Sequence, residues 1–422
     1  MFKAHWISRF PTSRFSFAVL ALLALIAAQP SQGSDWPQWR GPMRDGISTE
    51  KGLTSSLSSN GPPVVWMMRG VGKGYSSVSV AKGQIFTMGD GKERSYVHAL
   101  SEKDGKVQWS APLGATGGNY EGTRCTPTVD GDLVFALGQH GDLICVEAKS
   151  GTEMWRKSME KNFGGKMMSG WGYSESPLVD GAQVVVTPGG SEGTVVALDR
   201  KTGAVVWRSK DWTDRAAYSS VIVAEIGGVR QYIQISDAHV AGIAAKDGAV
   251  LWKAKRKGST AVIPTPIYKD NHVLVSSGYG VGCNLFKITA GSAGFDADEV
   301  YANKDLVNHH GGMVLVGDHV YAHSDSKGWV CMEFMTGKLA WSNPGVGKGA
   351  LVCADGKLFT RKEDKQGTVA MVMASPDGYK EHGRFAQAER STKNSWAHPV
   401  IANGRLYLRD QDALLCYDVT GK

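Results

Sequence analysis

The chain has 422 residues, of which 53 are Gly, 13 are Trp and 21% are charged, a composition that favours short strands and tight turns over long amphipathic helices. Its formal net charge is +7, and about +4 remains once the three basic residues of the first 33 positions are subtracted. So small an excess indicates neither a nucleic-acid nor an anionic-membrane partner, and the composition argues against disorder over most of the chain.

Residues 1–33 have the layout of a secretory signal peptide. Lys3, Arg9 and Arg14 precede an apolar run at residues 15–28, and small and polar residues follow it. The run is too short to span a bilayer, and no Cys follows it that would carry a lipid. We expect cleavage near Gly33 and a periplasmic or secreted mature protein without a membrane span; an uncleaved anchor is the alternative.

Residues 34–62 are predicted to form an irregular arm outside the main fold. The arm carries Trp36, Pro37, Trp39 and Arg40 within a short span. We expect these residues to cover one end of the fold, and docking of a partner or a glycan by exposed aromatic rings is the alternative.

A unit of about 45 residues then recurs to the end of the chain, and most copies finish in a turn, a Gly and a Trp. In one unit, residues 126–129, 133–137 and 143–147 and a run around Trp155 are rich in β-forming residues and separated by Gly turns. Each unit is therefore predicted to be a four-stranded antiparallel blade. We expect the Trp, in the outermost strand, to pack against the next blade with its N–H on a backbone carbonyl.

Eight blade starts can be counted, and they lie near Tyr75, Cys125, Glu175, Tyr218, Ile263, His310, Gly349 and Ala397. The fifth and seventh units lack the Trp and end instead around Tyr301 and Phe385. The eighth has only three strands of its own, and the strand at residues 63–66 is expected to supply the fourth and close the ring. The predicted fold class is all-β, an eight-bladed β-propeller over residues 63–422.

The six cysteines are predicted to be free and buried. No two are adjacent or in a CxxC pattern, and Cys145, Cys331 and Cys416 align with Ala197, where a strand needs a small apolar residue. Three blades cannot bring the same inner position together, so disulfides between these residues are not expected.

Residues 197–207, ALDRKTGAVVW, resemble the signature of the pyrroloquinoline-quinone-type (PQQ-like) repeat, and the likeness covers residues 63–419. This repeat builds eight-bladed propellers of two kinds, quinoprotein alcohol dehydrogenases and the propeller lipoprotein of the outer-membrane barrel-assembly machinery. The opening DWPQWRG also resembles a group of exported proteins named only for the repeat. Because the signature describes blade packing, the resemblance implies the fold and leaves function to the site.

A quinoprotein dehydrogenase would imply an adjacent-cysteine disulfide, a calcium ion held by Glu and Asn, and an Asp base. The chain has no Cys-Cys pair. Glu175 and Asn394 are candidates for a cation site, and Asp214 or Glu121 for the base, but none lies in a motif that matches the family. PQQ with calcium is therefore only an alternative, and the cofactor is left open.

The candidate ligand site is on the long loops between blades, which share one face of the ring and surround the channel mouth. Arg and Lys can hold carboxylates or phosphates there, and flat rings can stack on a planar cofactor or a sugar. The candidates are Tyr120, Glu121, Arg124, Trp171, Tyr173, Glu175, Tyr218, His309, His310, Lys348, Asn394, Trp396 and His398. No metal site is predicted, because adjacent His309 and His310 would point to opposite faces of a strand.

These observations predict a monomeric binding scaffold that takes a protein partner or a small ligand at the channel mouth. Two alternatives stay open. One is a quinone-dependent dehydrogenase of alcohols or sugars, and the other is a platform for outer-membrane protein assembly in the envelope.

Overall fold

Eight antiparallel sheets follow one another along the chain in the computed structural model, which describes residues 34–421. The expected signal peptide lies outside the described residues. Each sheet is a meander whose neighbouring strands are hydrogen-bonded in sequence order, apart from additions from the N-terminal segment. The predicted eight-bladed propeller is confirmed.

The first half of the ring consists of the N-terminal segment and blades 1 to 4. The N-terminal segment contributes β1 (Ile47–Ser48) and β2 (Val64–Arg69). Blade 1 comprises β3 (Ser79–Ala81), β4 (Gln84–Asp90), β5 (Ser95–Ser101) and β6 (Val107–Gly114). Blade 2 comprises β7 (Thr128–Asp130), β8 (Leu133–Leu137), β9 (Asp142–Glu147) and β10 (Glu153–Ser158), followed by the helix α1 (Met159–Phe163). Blade 3 comprises β11 (Leu178–Asp180), β12 (Gln183–Val186), β13 (Val196–Asp199) and β14 (Val205–Arg208). Blade 4 comprises β15 (Ile222–Ile226), β16 (Val229–Ile235), β17 (His239–Ala244) and β18 (Val250–Lys255).

The second half repeats this arrangement. Blade 5 comprises β19 (Ile267–Lys269), β20 (His272–Ser277), β21 (Gly282–Gly291) and β22 (Gly294–Asn303). Blade 6 comprises β23 (Met313–Val316), β24 (His319–Ser324), β25 (Gly328–Glu333) and β26 (Leu339–Asn343). Blade 7 comprises β27 (Gly349–Ala354), β28 (Lys357–Lys362), β29 (Thr368–Met373) and β30 (Glu381–Ala386). Blade 8 comprises β31 (Val400–Ala402), β32 (Arg405–Asp410) and β33 (Ala413–Asp418), to which β2 is added.

In blades 1, 2, 3, 6 and 8 the repeated Trp joins the blade to the next one, as the sequence predicts. The indole N–H of Trp155 in blade 2 donates to the carbonyl of Arg200 in blade 3 at 3.0 Å. Equivalent bonds run from Trp66 to Glu102, Trp109 to Ala148, Trp207 to Ala245 and Trp341 to Ser375. Blade 5 ends in Tyr301, whose hydroxyl donates to Phe334 in blade 6 at 2.9 Å. Trp252 of blade 4 differs, since its indole N–H donates to Gln231 in its own blade. In blade 5 the long hairpin β21–β22 replaces the short turn that joins the third and fourth strands of the other blades.

Blade 8 is completed by the N-terminal strand. β2 pairs antiparallel with β33, and Trp66 is opposite Cys416 in the same register that places Trp155 opposite Cys145 and Trp207 opposite Ala197. The predicted ring closure is confirmed. It leaves β33 with a partner on both sides, which removes an open sheet edge.

The six cysteines are free and buried, as predicted. Burial raises the pKa of the thiols of Cys125, Cys145, Cys283, Cys353 and Cys416 to about 12. These thiols therefore stay protonated and act as small apolar groups in the blade cores.

The arm does not lie outside the ring, so that prediction is wrong for its first part. Trp36 is only 3% exposed and exchanges two backbone hydrogen bonds of 2.8 Å with Val80 in β3, the innermost strand of blade 1. β1 pairs in parallel with β27, the innermost strand of blade 7, beside the tight-turn end of that strand. The segment between these contacts therefore enters the central channel.

Two buried arginines hold the arm in the channel. Arg44 donates to the carbonyls of Ser176 and Pro177 before β11, at 2.7 and 3.1 Å. Arg40 donates to the carbonyl of Met313 at the start of β23. Because these bonds go to backbone carbonyls of different blades, they could not be read from the pattern of side chains along the sequence.

The described residues contain no helix long and apolar enough to cross a membrane. Their one α-helix, α1, has five residues and lies in the loop after blade 2, where the Ser158 hydroxyl accepts a hydrogen bond from the backbone N–H of Lys161.

Candidate functional site

A pocket with a cavity volume of about 230 Å³ opens on the long-loop face of the ring. Its walls come from most of the blades, which is expected where loops of a propeller converge on the channel mouth. The lining residues are Trp39, Tyr75, Tyr120, Arg124, Trp171, Ser174, Tyr218, Ser220, Ala261, Ile263, Tyr279, His309, His310, Trp396 and His398.

Seven of these rings form a nearly continuous collar around the mouth. The collar consists of Tyr218, Trp171, Tyr120, Trp396, His310, His309 and Tyr279, with successive ring centroids 6.2, 6.4, 5.3, 5.9, 5.1 and 4.7 Å apart. These separations and the tilted or edge-on angles are those of favourable aromatic pairs. The loops that carry the collar are therefore mutually supported, and the rings are held in place before any ligand arrives.

The arm supplies the floor of the pocket. The ring of Trp39 lies 4.5 Å from that of His398, and its indole N–H donates to the hydroxyl of Thr265 at 2.9 Å. Burial lowers the pKa of His398 to about 3, with a further contribution from nearby Arg40, so this imidazole is neutral. The pocket is therefore blind: it is open on the long-loop face and closed by the arm in the channel.

The polar edges of several rings are already bonded to the protein. The hydroxyl of Tyr218 is hydrogen-bonded to Ser169, and the indole N–H of Trp396 donates to Glu363 at 2.9 Å. Nε2 of His309 lies 3.0 Å from the hydroxyl of Tyr279. What these rings offer to the cavity is therefore mainly carbon surface.

Arg124 is the cationic side chain among the lining residues. It donates to the carbonyls of Trp171 at 2.7 Å, Tyr120 at 2.7 Å and Asn119 at 3.0 Å, all in the collar loops. These acceptors carry no formal charge, so the positive charge of Arg124 has no carboxylate bonded to it. Arg124 thus fixes two collar loops and places one positive charge in the wall of the pocket.

Carboxylates stand behind the histidine side of the collar, each beside a cation or a histidine. Glu363 lies 3.0 Å from Nε2 of His310, and Asp325 lies 2.9 Å from the ammonium of Lys348. Lys348 also donates to Nδ1 of His309 at 2.6 Å. Burial, together with His310 and Lys348, lowers the pKa of His309 to about 4, so it is neutral near pH 7.

Two rim tyrosines have a backbone conformation that L-residues rarely adopt. Tyr120 and Tyr279 both have φ of +58°, and they remain 55% and 43% exposed. A bulky residue in this left-handed region costs roughly 1 kcal/mol, and half-exposed rings recover little of that by burial. Strain of this kind clusters at functional sites.

The predicted site residues divide into two groups. Eight line the pocket: Tyr120, Arg124, Trp171, Tyr218, His309, His310, Trp396 and His398. The other five do not. Tyr173 and Glu175 are buried, and the hydroxyl of Tyr173 donates to the carbonyl of Pro188. Lys348 lies behind His309. Glu121 forms an exposed ion pair with Lys73, and Asn394 is exposed.

Glu175 is part of the interior rather than of the pocket. Its carboxylate accepts the backbone N–H of Thr187 and lies 3.3 Å from the amide nitrogen of Gln234. Burial raises its pKa to about 7.

Sequence reasoning missed three aromatic members of the pocket. Tyr279 lies in the loop between β20 and β21, within a blade, whereas the sequence prediction concerned loops between blades. In each blade the loop between the second and third strands lies on the same face as the loops between blades. A prediction that included these loops would have found Tyr279. Tyr75 was recognised only as a blade start, and the position of Trp39 follows from arm contacts that have no sequence signature.

The calcium part of a quinoprotein centre does not fit these residues. No Asp or Glu lines the pocket, and no group of three or more His, Cys, Asp or Glu within residues 34–421 could hold a metal ion. Asp214 is bonded to His239 and Ser236 in blade 4, away from the lining residues. The residues present therefore support no reaction step through a calcium-bound quinone.

A protein-family model described as "Outer membrane protein assembly factor BamB" matches residues 93–343. Among curated proteins, the chain is similar to outer membrane protein assembly factor BamB of Moranella endobia, with 22% identity over 56% of this chain and 57% of that one. It is also similar to quinohemoprotein alcohol dehydrogenase ADH IIB of Pseudomonas putida, with 23% identity over 68% of this chain and 44% of that one.

Among solved structures, BamB from Moraxella catarrhalis superposes with a TM-score of 0.60 and 18% sequence identity, covering 84% of this chain and 97% of that one. Identity at this level shows a shared fold and no more. The curated relatives are matched over about half of their length, so their activities and partners do not pass to this chain without further argument.

Proposed function

Because the chain belongs to the PQQ-like repeat β-propeller family described as outer membrane protein assembly factor BamB, we propose that it is a protein-binding scaffold in outer-membrane protein assembly. The observation that carries this proposal is the family match over residues 93–343, which spans parts of blades 1 to 6. The similar curated proteins that carry the BamB name support it as well.

The long-loop face is the proposed docking surface. Protein interfaces are enriched in Tyr, Trp and Arg at their energetic centres, and the collar concentrates these residue types around one blind pocket. Tyr120 and Tyr279 stand half-exposed at its rim. The partner is expected to place a side chain or a chain end in the pocket and to contact the surrounding loops.

The mature protein is proposed to act outside the cytoplasm as a monomer, in the periplasm or after secretion. This localisation depends on the signal-peptide prediction for residues 1–33, and processing at Gly33 can be checked by sequencing the N-terminus of the native protein.

Site-specific photo-crosslinking in the source organism tests the docking surface. A photoreactive phenylalanine at Tyr120 or Tyr279 should yield adducts that mass spectrometry identifies as components of outer-membrane protein assembly. Val205 and Val206 are the matched controls, because they are 46% and 49% exposed on the outer strand β14 rather than at the mouth. Adducts without such components, or equal adducts from the control positions, would reject the proposal.

A quinone-dependent dehydrogenase is the second candidate, favoured by the alignment with the Pseudomonas putida enzyme over 68% of this chain and by a collar that could stack on a flat ring. The pocket lacks the carboxylates that the calcium ion would need. The purified protein can be mixed with pyrroloquinoline quinone and calcium and assayed with alcohols, sugars and an electron-accepting dye. Absence of both quinone binding and dye reduction would exclude this candidate.

A further inference from the structure

We propose that Ser34 is the first residue of the mature protein and that its α-ammonium group binds the carboxylate of Glu50. Removal of residues 1–33 then completes the attachment of the arm to the ring. This inference rests on the export part of the proposed function, the processing of the N-terminal segment, and it is independent of the docking surface on the long-loop face.

The backbone nitrogen of Ser34 already lies against the carboxylate of Glu50. It donates to Oε1 at 2.7 Å, and the Ser34 hydroxyl lies 3.2 Å from the same oxygen. Hydrolysis of the Gly33–Ser34 peptide bond consumes one water and leaves a carboxylate on Gly33 and an ammonium group on Ser34 at neutral pH. A hydrogen bond from such a group to a carboxylate is about twice as strong as one from a neutral amide. Cleavage at this bond therefore places the new charge beside its counter-ion without any movement of the chain.

Glu50 is a buried carboxylate that lacks a cationic partner among the described residues. It is 4% exposed, and its oxygens accept the backbone N–H groups of Asn403 at 2.8 Å and Gly404 at 3.1 Å in addition to the two groups of Ser34. Within residues 34–421 all four of these donors are uncharged. Acidic side chains are almost never so buried without a charged partner, because burial of an unpaired charge is costly. A terminal ammonium group at Ser34 supplies that partner.

The pair lies where the arm meets the blades on the tight-turn face. The backbone groups that Glu50 accepts belong to the turn between β31 and β32 in blade 8. Two residues after Ser34, Trp36 is bonded to Val80 in β3 of blade 1. The part of the arm that enters the channel begins and ends at these contacts. An ion pair between Ser34 and Glu50 therefore fixes both ends of that segment to each other and to the ring.

The residues before Ser34 suit cleavage at this position. Removal of a signal peptide requires small residues just before the cleaved bond, and Ser31 and Gly33 stand at the third and first positions before it. Cleavage after Ala28, at the end of the apolar run, would instead leave residues 29–33 in front of Ser34. The ammonium group would then lie five residues away from the nitrogen that contacts Glu50.

Sequencing of the N-terminus of the native protein is the first test. We expect Ser34 as the first residue. Another first residue after processing would overturn this inference and leave export standing, whereas an unprocessed N-terminus would overturn both. Crosslinks from the channel mouth are unaffected by either result, so the scaffold function is tested separately.

The reactivity of the terminal amine tests the ion pair directly. Two mature chains are compared, one that begins at Ser34 and one that carries Gly-Gly before Ser34. The extension keeps a neutral N–H donor at Ser34 and moves the ammonium group about 7 Å along the chain. A carboxylate beside an ammonium group favours its protonated form, so N-acetoxysuccinimide at pH 8 should acetylate the amine about tenfold more slowly in the chain that begins at Ser34. Glu50→Gln should remove most of this difference, and equal rates in the two chains without it would overturn the proposal.

Hydrogen exchange of the Trp36 amide measures what the ion pair adds to the arm. This N–H donates to the carbonyl of Val80 at 2.8 Å, so it exchanges when the start of the arm opens. Exchange should be about tenfold faster in the Gly-Gly chain than in the chain that begins at Ser34, which corresponds to a shift of one unit in the pKa of the amine. With Glu50→Gln in both chains the difference should disappear, because Gln keeps an acceptor oxygen without the charge.

Glu93→Gln is the matched control, since Glu93 is exposed between β4 and β5 of blade 1, and it should leave the tenfold difference intact. Equal exchange of Trp36 in the two chains would show that the ammonium group adds nothing to the arm and would overturn the proposal. A difference that persists with Glu50→Gln would assign the effect to the added residues rather than to the charge, and it would overturn the proposal as well.

Discussion

The indole of Trp155 lies on the backbone of Gly203, and this contact joins blade 2 to blade 3. A Cβ on Gly203 would stand 2.8 Å from Cδ2 of Trp155, and the φ of Gly203 is +69°. Gly105, Gly151 and Gly248 bear the same relation to the Trp of the blade before them. The Gly and the Trp that end a repeat unit therefore contribute to different interfaces. The Gly contacts the Trp ring of the preceding blade, and the Trp packs on the following blade.

Substitution of Gly203 by Ala, compared with a Gly that has no such neighbour, should distinguish the cost of the Trp contact from the cost of a left-handed backbone. We expect Gly203→Ala to lower the free energy of unfolding by about 3 kcal/mol, because the ring or the turn must move. Gly181→Ala is the matched control, since Gly181 lies in the same blade with φ of +60° and nothing within 4 Å of an added Cβ, and it should cost about 1 kcal/mol. Denaturant unfolding measures both. Equal losses would mean that the ring contact contributes nothing.

Ring closure should be sensitive to Trp66. Trp66→Ala removes a buried ring and its bond to the carbonyl of Glu102, and we expect a loss of about 3–5 kcal/mol. It should also loosen β2 and expose Cys416, which is opposite Trp66 in β33. A thiol reagent without denaturant should then label Cys416 before the other five cysteines. Val65→Ala, at a 40% exposed position of the same strand, should change neither the free energy of unfolding nor the labelling of Cys416. Continued protection of Cys416 in Trp66→Ala would show that β2 does not depend on this ring.

Acid should destabilise the fold through His398. Its folded-state pKa is about 3 and its ordinary value is 6.5, so below pH 6.5 the unfolded chain binds a proton that the folded chain does not. The unfolded state then holds more protons, and stability is lost as the pH falls from about 6.5 towards 3. This one residue should account for about 2 kcal/mol between pH 7 and pH 5.

His398→Gln tests the assignment, since Gln cannot take up the proton and can still donate to the carbonyl of His310 as Nε2 does. The variant should lose less stability than the wild type over the same pH interval. An unchanged pH profile would place the acid sensitivity in the other buried histidines, His98, His309 and His323, whose pKa values burial also lowers to about 4.

The arm should detach when Arg44 is removed. Arg44→Ala leaves the buried carbonyl of Ser176 without its donor, while that of Pro177 keeps only the hydroxyl of Thr128, and we expect a loss of about 2–4 kcal/mol. Limited proteolysis should then cut within residues 34–48 before the blades are cut. Met43→Ala is the control, because Met43 is 78% exposed, and it should leave the arm as resistant as in the wild type. An arm of unchanged resistance in Arg44→Ala would mean that the contacts of Trp36 and β1 suffice to hold it.

The blades were predictable because their information is local and repeated. Gly turns, alternating β-rich runs and the Trp phrase recur in each unit, and Tyr301 and Phe385 could be recognised as replacements by their position alone. The closing strand was predictable because Val64–Arg69 has a Trp and no blade of its own. Strand pairing in a meander needs only neighbouring segments, so the pattern of one unit is sufficient.

The course of the arm was not predictable for the opposite reason. Arg40 and Arg44 bind carbonyls that every residue possesses, and Trp39 meets Thr265 across a sequence separation of 226 residues. Nothing in the composition of the blades marks those acceptors. The pocket was therefore predicted in part: its inter-blade loops were found, while its floor and the tyrosine of an intra-blade loop were not.

The closing of blade 8 by β2 also bears on how the chain folds. The backbone N–H of Gly70 at the end of β2 is bonded to Asp412, 342 positions later. Seven blades can form from neighbouring segments as soon as each is available, but this last pairing must wait for nearly the whole polypeptide and closes its largest loop. Until then β33 of the last blade keeps a bare edge and β2 has no partner strand, so two half-finished molecules could pair with each other. Joining the chain ends thus completes the last blade, and it makes the late steps of folding the ones most exposed to aggregation.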